Sequence, residues 1–196
     1  GFVTATQVNI GFLKTSGVDF EGNWRVPLID WGMESIGGLD LSFQGTWLRS
    51  LETDPGIPAL DEDGNVVATS FDCAGFFGTP STCGTPNPEW RHRLRVTWTT
   101  PLDGFGVSLA WRYYGKVDNE GFSSNPYLNA PTNPEDESID AQNYFDLAAT
   151  WRVRDNYTLR MGVNNIFDKE PPLIGGTTAG STALYNGNTY PGVYDA

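Results

Sequence analysis

The sequence predicts an all-β protein whose antiparallel strands form part of a transmembrane β-barrel. Six segments alternate between large apolar residues and polar or charged ones, which is the period of two that a two-faced strand requires. The connections between these segments alternate between shorter and long, as the periplasmic turns and extracellular loops of outer-membrane barrels do. The chain also has 7 Trp, 8 Tyr and 11 Phe beside 23 Gly and 13 Pro, which is typical of many strands joined by turns.

Three predicted strands lie in the first half of the chain. They are Gly17–Pro27, Leu39–Ser50 and Trp90–Pro101. Large apolar residues recur at alternate positions in each, and these residues are Val18, Phe20, Trp24, Val26, Leu39, Leu41, Phe43, Trp47, Leu94, Val96 and Trp98. Polar and charged residues occupy the positions between them. Because successive side chains of a strand point to opposite faces, each segment is predicted to have one apolar and one polar face.

Three further strands are predicted in the second half. They are Gly106–Val117, Asn143–Val153 and a strand that begins at Tyr157. Their alternating apolar residues are Val107, Leu109, Trp111, Tyr113, Phe145, Leu147, Ala149, Trp151, Leu159, Met161 and Val163. Asp103 and Gly104 precede the first of these strands and are a strong hairpin signal. The last strand is predicted to end at Asn164 and Asn165, since asparagine favours turns and the prolines that follow cannot donate to a ladder.

The lengths of the connections predict at which end of the barrel each one lies. The shorter connections, expected at the periplasmic end, are Leu28–Gly38, Leu102–Phe105 and Arg154–Asn156. The long connections, expected outside the cell, are Leu51–Glu89, Asp118–Gln142 and the stretch from Asn165 onward. Six antiparallel strands leave two open edges, which lipid does not tolerate. The chain is therefore expected to be an incomplete piece of a larger barrel.

Charge and composition argue against several classes of function. The net charge of -12 argues against a nucleic-acid partner, because phosphate backbones require basic patches. No apolar run of about 18 residues exists, so no transmembrane helix is expected, although a transmembrane strand needs only about 9–11 alternating residues. His92 is the single histidine, which rules out a multi-histidine metal site. Nothing singles out Asp19, Glu21 or Asp146 as a glycosidase pair, so neither an enzyme nor a cofactor is expected.

Two acidic runs lie in the long connections. Asp61–Asn65 offers carboxylate oxygens to Ca²⁺, but its glycine stands at the wrong offset for an EF-hand loop and the closing glutamate is missing. Glu135–Glu137, with Asp140, is the second run. Both are predicted to be solvated loops, with a contact to divalent ions as the alternative, and no metal site is assigned.

One stretch carries a resemblance to a known family. Gly162–Pro172, which reads GVNNIFDKEPP, resembles the penultimate strand of TonB-dependent outer-membrane receptors, where a GVxNLFDKxP-type motif is usual. Asn188–Pro191 followed by Tyr194 and Asp195 resembles the entry to the final strand of that family. The stretch from Asn9 to Glu21 resembles the family's N-x-G…GVE(L/F)E strand, with Asp19 where glutamate is usual.

The resemblance covers almost the whole chain and implies both its fold and its function. Members of the family have barrels of about 22 strands, closed by an N-terminal plug domain. Residues 1–196 would be the C-terminal portion of such a barrel, without the plug, the N-terminal strands and the last strand. The implied function is a receptor in the outer membrane of a Gram-negative bacterium that takes up a scarce nutrient, such as a siderophore or a saccharide, with energy from TonB.

The implied partners follow from this setting. They are the TonB complex, reached through the plug, the lipid and lipopolysaccharide of the outer membrane, and a small-molecule or oligosaccharide substrate. Two alternatives remain open: a secreted, soluble β-sandwich that binds carbohydrate, and a passive porin-like channel. A sandwich would bury its apolar face against a second sheet, whereas a barrel turns that face to lipid.

Candidate functional residues fall into three groups. Cys73 and Cys83 enclose a loop of small residues and form either a disulfide, which we predict, or two reduced thiols. The flanking sequence resembles receptors with a disulfide-bearing loop. The residues expected to face the lumen and contact the substrate or the plug are Arg93, Arg95, Arg112, Asp146 and Arg160. The loop aromatics able to stack on sugar rings, or to pack the loops, are Phe76, Phe77, Phe122, Tyr127 and Tyr185.

Overall fold

A computed structural model describes residues 11–32, 36–129, 137–154, 156–174 and 193–194 of the chain. Several residues named above lie outside these described residues: Asn9, Ile10, Glu135, Asp136, Asp155, Tyr185, Asn188, Thr189, Tyr190, Pro191 and Asp195. Within the described part of the chain, no helix is both long enough and apolar enough to cross a membrane.

Six long strands form one antiparallel sheet, which confirms the predicted fold class. The strands are β1 (Phe12–Pro27), β2 (Gly38–Asp54), β3 (Trp90–Thr99), β4 (Phe105–Tyr114), β5 (Gln142–Arg154) and β6 (Tyr157–Val163). Each strand pairs with the next one along the chain. Among the described residues β1 and β6 do not pair with each other, so the sheet is not closed into a barrel.

The first two strands are longer than the alternation predicted. β1 begins at Phe12, whereas the sequence predicted a start at Gly17. The first residues were missed because a bulge interrupts the alternation where Ser16 pairs with Ser50 and Gly17 with Leu48. An extra residue on one strand moves the following side chains to the other face, so the alternation is lost across a bulge. A Cβ on Gly17 would lie 2.4 Å from the carbonyl oxygen of Trp47, which explains the glycine at this close approach.

The register places the apolar residues of all six strands on one face. The row through the middle of the sheet is Trp24, Leu41, Val96, Leu109, Leu147 and Val163. No second sheet covers this face within the described residues, and Trp24 and Met161 are 62% and 66% exposed. A β-sandwich would bury this row, so the geometry favours a face that meets lipid.

The long connections are not irregular throughout but form a small folded unit, which we call the loop module (residues 59–87, 116–129 and 137–139). Its short strands are Ala59–Leu60, Val66–Ala68, Phe71–Asp72, Phe76–Phe77, Val117–Asn119 and Ser138–Ile139. Three of them, Phe76–Phe77, Val117–Asn119 and Ser138–Ile139, pair into one sheet. Strands of two or three residues are too short to show alternation in the sequence, which is why these segments were predicted to be loops.

Two apolar clusters hold the loop module against one end of the large sheet. The first contains Phe77, Val117, Ile139, Tyr144, Ile174 and Tyr194. The second contains Phe71, Cys73, Cys83 and Leu128. Because Tyr144 belongs to β5 and the others to connections, the first cluster joins the module to the sheet. Burial of these side chains stabilises the module by about 1.5–3 kcal/mol for each large residue.

Candidate functional site

The predicted lumen residues all lie on the polar face of the sheet. Arg93 of β3 pairs with Arg112 of β4, and the next rung runs from Arg95 through Ala110 to Asp146 of β5. These positions alternate with the apolar row, so the side chains point to the opposite face. Arg160 of β6 pairs with Thr150 and lies on the same face nearer the short turns.

Arg112 and Asp146 form the central ion pair of this face. Nε of Arg112 donates to Oδ2 of Asp146 at 3.0 Å, and Nη2 donates to Oδ1 at 2.9 Å. Both side chains are largely covered, with 18% and 16% of their surface exposed. The guanidinium also lies over the ring of Tyr144, 5.3 Å from its centroid. A two-point bond between planar groups fixes both side chains, so this pair braces β4 against β5.

The turn after β6 is built on the same aspartate. The backbone N–H of Asn165 donates to Oδ1 of Asp146 at 3.0 Å. The side chain of Asn165 then closes a loop with Lys169: its Nδ2 donates to the Lys169 carbonyl, and its Oδ1 accepts from the Lys169 N–H, each at 3.0 Å. Asn165 has a φ of 51°, a left-handed conformation that asparagine tolerates better than most residues.

A cavity of about 570 Å³ opens on the polar face, and Arg112 is among its lining residues. Carboxylates of Asp19 and Glu21 line one side and the guanidinium groups of Arg91 and Arg93 line the other. Arg93 makes no hydrogen bond within the described part of the chain, whereas Arg95 donates to Oγ of Ser108 at 3.1 Å. Asp19 accepts from Oγ1 of Thr46 at 2.8 Å, which links β1 to β2. Among the described residues of this cavity, Glu21 and Arg93 therefore supply charges of both signs that make no hydrogen bond across the sheet.

The disulfide predicted between Cys73 and Cys83 is present, and a buried carboxylate supports it. Glu120, only 7% exposed, accepts hydrogen bonds from the N–H of Thr79 at 2.8 Å, the N–H of Cys83 at 2.9 Å and the hydroxyl of Thr82. We call Glu120 with its three donors the Glu120 clamp. Sequence reasoning missed this residue, because its partners are 37 to 41 positions away in the chain.

The loop aromatics differ in whether their rings are packed in the apolar clusters or exposed at the surface. Phe77 is 2% exposed and belongs to the first apolar cluster. Phe76 and Tyr127 pack against the second cluster, and the Tyr127 ring lies 5.4 Å from that of Phe71. Phe122 differs, because 43% of its surface is exposed beside a cavity in the loop module.

That cavity, which we call the outer-loop pocket, has a volume of about 540 Å³. Its lining residues are Asp72, Phe76, Lys116, Asp118, Phe122, Ser123, Ser124, Asn125 and Glu137. Nζ of Lys116 lies 2.9 Å from Oδ1 of Asp118, and this hydrogen-bonded contact raises the pKa of Lys116. The sequence pattern identified three of these residues: Phe76 and Phe122 as loop aromatics, and Glu137 in the second acidic run. The other polar members carry no local motif and come together only in the fold.

The first acidic run forms a closed turn. Oδ1 of Asp61 accepts from the N–H of Asn65 at 2.7 Å and from the N–H of Asp63 at 3.0 Å. Its Oδ2 accepts from Nδ2 of Asn65 at 3.0 Å, and the bonds from Asn65 hold the pKa of Asp61 below its usual value. Over the described ranges, no three His, Cys, Asp or Glu side chains are grouped closely enough to hold a metal ion.

Comparisons with known proteins bear on the same stretch of chain. A family model described as "TonB dependent receptor-like, beta-barrel" matches residues 1–166, which include all six strands of the sheet. Searches of the curated proteins and of the solved structures gave no match.

Proposed function

Because this chain belongs to the TonB-dependent receptor β-barrel family, we propose that it forms part of an outer-membrane receptor that imports a scarce nutrient with energy from TonB. The family match over residues 1–166 is the observation that carries this proposal. The uncovered apolar face supports it, since such a face is stable in lipid and not in water. A transporter of this kind performs no covalent chemistry on its substrate.

The open sheet supports the further proposal that residues 1–196 are the C-terminal portion of a larger barrel. β1 and β6 each have one free edge among the described residues, and unpaired backbone groups cost several kcal/mol each in a bilayer. Strands preceding β1 and a strand following β6 would satisfy these edges. A plug domain would then face the polar side of the sheet.

The polar face is proposed to serve two purposes. Arg112 and Asp146 brace the wall, because they are bonded to each other and to the turn after β6. Arg93, Arg95 and Arg160 are proposed to contact the plug or the passing substrate, since their guanidinium groups lie on the face that a closed barrel turns inward.

The proposal is tested by comparing two deletion strains of the source bacterium with the wild type. One lacks this receptor and the other lacks TonB, and all are grown on a panel of single limiting iron and carbon sources. The proposal predicts that at least one nutrient supports growth of the wild type but of neither deletion strain. Restoring the full-length receptor gene should restore growth only where TonB is present.

The growth test, together with fractionation and the mass of the native protein, separates the alternatives. A passive porin-like channel would give a defect in the receptor deletion that the TonB deletion does not share. A secreted carbohydrate-binding module would leave the protein in the soluble fraction at a mass near 21.5 kDa. The receptor proposal instead predicts a protein extracted from outer membranes only by detergent, with a mass several times that value.

A further inference from the structure

We propose that the outer-loop pocket binds a neutral, polyhydroxylated ligand, that is, a saccharide. This inference rests on the proposed function, because it names the class of nutrient that the receptor would collect at its outer surface. It concerns the loop module alone and does not depend on the polar face of the barrel.

The pocket has rigid walls, which a binding site in a long loop requires. Phe76 lies in a short strand that pairs with Val117–Asn119, so the wall that carries Phe76 is joined to the wall that carries Asp118. The disulfide joins Cys73 to Cys83, and the Glu120 clamp ties Cys83 to the segment that follows Val117–Asn119. The two walls are therefore also linked through these bonds. Asn125 closes another side, since its Nδ2 donates to the carbonyl of Ser70 at 3.1 Å.

The chemistry of the lining matches a sugar. Phe122 presents an exposed ring. The C–H face of a pyranose can pack on such a ring, and this contact is favourable because it removes apolar surface of both partners from water. Lys116 donates hydrogen bonds, the carboxylates of Asp118 and Glu137 accept them, and the hydroxyl of Ser124 does both. Sugar hydroxyls donate and accept in turn, so they use a lining that contains both kinds of group.

The charge of the lining selects against anionic ligands. The lining contains three carboxylates, those of Asp72, Asp118 and Glu137, and one ammonium, that of Lys116, which is paired with Asp118. An anionic chelate or an acidic saccharide would meet net negative charge at close range, which disfavours its binding. A neutral saccharide meets no such repulsion. The pocket therefore favours one of the nutrient classes that the sequence left open.

The inference is tested by calorimetric titration of the full-length receptor in detergent. The probes are maltohexaose, cellohexaose, chitohexaose and xylohexaose, with trigalacturonate and ferric citrate as anionic comparators. We expect at least one neutral hexaose to bind. In Phe122→Ala its affinity should fall by about tenfold or more, in line with the loss of one stacked ring. Phe122→Tyr should retain the affinity, because it keeps the ring.

Leu60→Ala is the matched control, because Leu60 is an exposed apolar residue of the loop module, 57% exposed, that does not line the pocket. Ser124→Ala and Glu137→Gln provide a second readout that does not alter the aromatic ring, and each should weaken binding. The inference is overturned if no neutral hexaose binds at millimolar concentration. It is also overturned if an anionic comparator binds more tightly, or if Phe122→Ala and Leu60→Ala bind equally well.

Failure here can be told apart from failure of the proposed function. Binding to the purified receptor requires no TonB, whereas the growth test does. A receptor that supports TonB-dependent growth on an iron source and binds no neutral hexaose would keep the proposed function and overturn the saccharide inference. A receptor that binds a neutral hexaose but supports no TonB-dependent growth would keep the saccharide inference and overturn the proposed function.

Discussion

At the scale of single residues, two ion pairs of the polar face have the same chemistry but different surroundings. Arg112 and Asp146 are joined at two points and are 18% and 16% exposed. Arg25 and Asp40 are joined through Nε and Oδ1 at 2.7 Å, but they are 83% and 42% exposed. Water screens the second pair and leaves the first comparatively unscreened, so burial rather than distance decides what each contributes.

Replacing Asp146 by Ala is expected to lower the free energy of unfolding by about 2–4 kcal/mol, because a largely covered guanidinium loses this carboxylate. The N–H of Asn165 loses its acceptor as well. Replacing Asp40 by Ala is the matched control and should cost less than about 1 kcal/mol. Urea unfolding of the full receptor in lipid vesicles measures both. Equal losses in the two variants would show that burial does not set the difference.

The Glu120 clamp also acts through a single side chain. Replacing Glu120 by Ala leaves the N–H groups of Thr79 and Cys83 without their acceptor. Each N–H that stays buried without a partner is expected to lower the free energy of unfolding by about 1–3 kcal/mol. Glu120→Gln should lose less, since one amide oxygen still accepts. Hydrogen exchange of the amides in residues 79–83 measures the effect, and exchange should quicken most in the alanine variant.

The same clamp explains a glycine. A Cβ on Gly78 would lie 1.8 Å from Cδ of Glu120, so Gly78→Ala must displace the carboxylate. Gly22 is the control, because a Cβ there meets nothing within 4 Å. We expect exchange in residues 79–83 to quicken in Gly78→Ala and to stay unchanged in Gly22→Ala. Unchanged exchange in both would mean that Glu120 does not hold this segment.

At the scale of elements, the sequence predicted the long strands well and the loop module poorly. Each of the six strands has at least seven residues, enough for several cycles of alternation to be visible. The strands of the loop module have two or three residues, and their pairing depends on contacts between distant segments, such as Phe76 with Asp118. Such contacts leave no periodic trace in the sequence.

In the candidate site, too, the sequence predicted what depends on strand periodicity and missed what depends on contacts between distant segments. The five predicted lumen residues share a face because strand periodicity determines the face once the strand is known. Whether a given arginine is bonded or available depends on the register between strands, which the sequence does not state. Glu120 and Lys116 were missed for a similar reason, since neither belongs to a local pattern and each acquires its role from its neighbours in the fold.

The turn after β6 offers a test at this scale. Asn164 and Asn165 are adjacent, but Asn165 is 9% exposed and bonded twice to Lys169, whereas Asn164 is exposed. Asn165→Ala removes both bonds and places a less tolerant residue at a φ of 51°. We expect a loss of about 2–3 kcal/mol in the free energy of unfolding. Asn164→Ala should lose less than about 0.5 kcal/mol.

Urea unfolding of the full receptor measures this pair of variants. Asn165→Gly separates the two causes, because glycine removes the bonds but adopts the left-handed conformation without strain. It should therefore fall between Asn165→Ala and the wild type. If Asn164→Ala proves as damaging as Asn165→Ala, the closed turn does not explain the asparagine pair.

At the scale of the whole molecule, two opposite faces of one sheet have separate roles. The apolar face is continuous across all six strands and is not covered by any described residue of a second sheet. The polar face has arginines on β1 and on β3 to β6, and carboxylates on β1, β2 and β5. The loop module packs against the end of the sheet where the connections are long. A soluble protein of this size would bury the first face, while a membrane barrel must expose it.

Substitution by arginine distinguishes the faces, because lipid rejects a guanidinium that water accepts. Leu109 lies in the middle of the apolar row, and Thr97 lies on the polar face opposite Asp40. Leu109→Arg is expected to lower the free energy of unfolding in lipid vesicles by about 2–4 kcal/mol. Thr97→Arg should change it by less than about 1 kcal/mol, since the new charge faces a carboxylate across the strands. Reversal of this order would mean that the polar face, and not the apolar one, meets the bilayer.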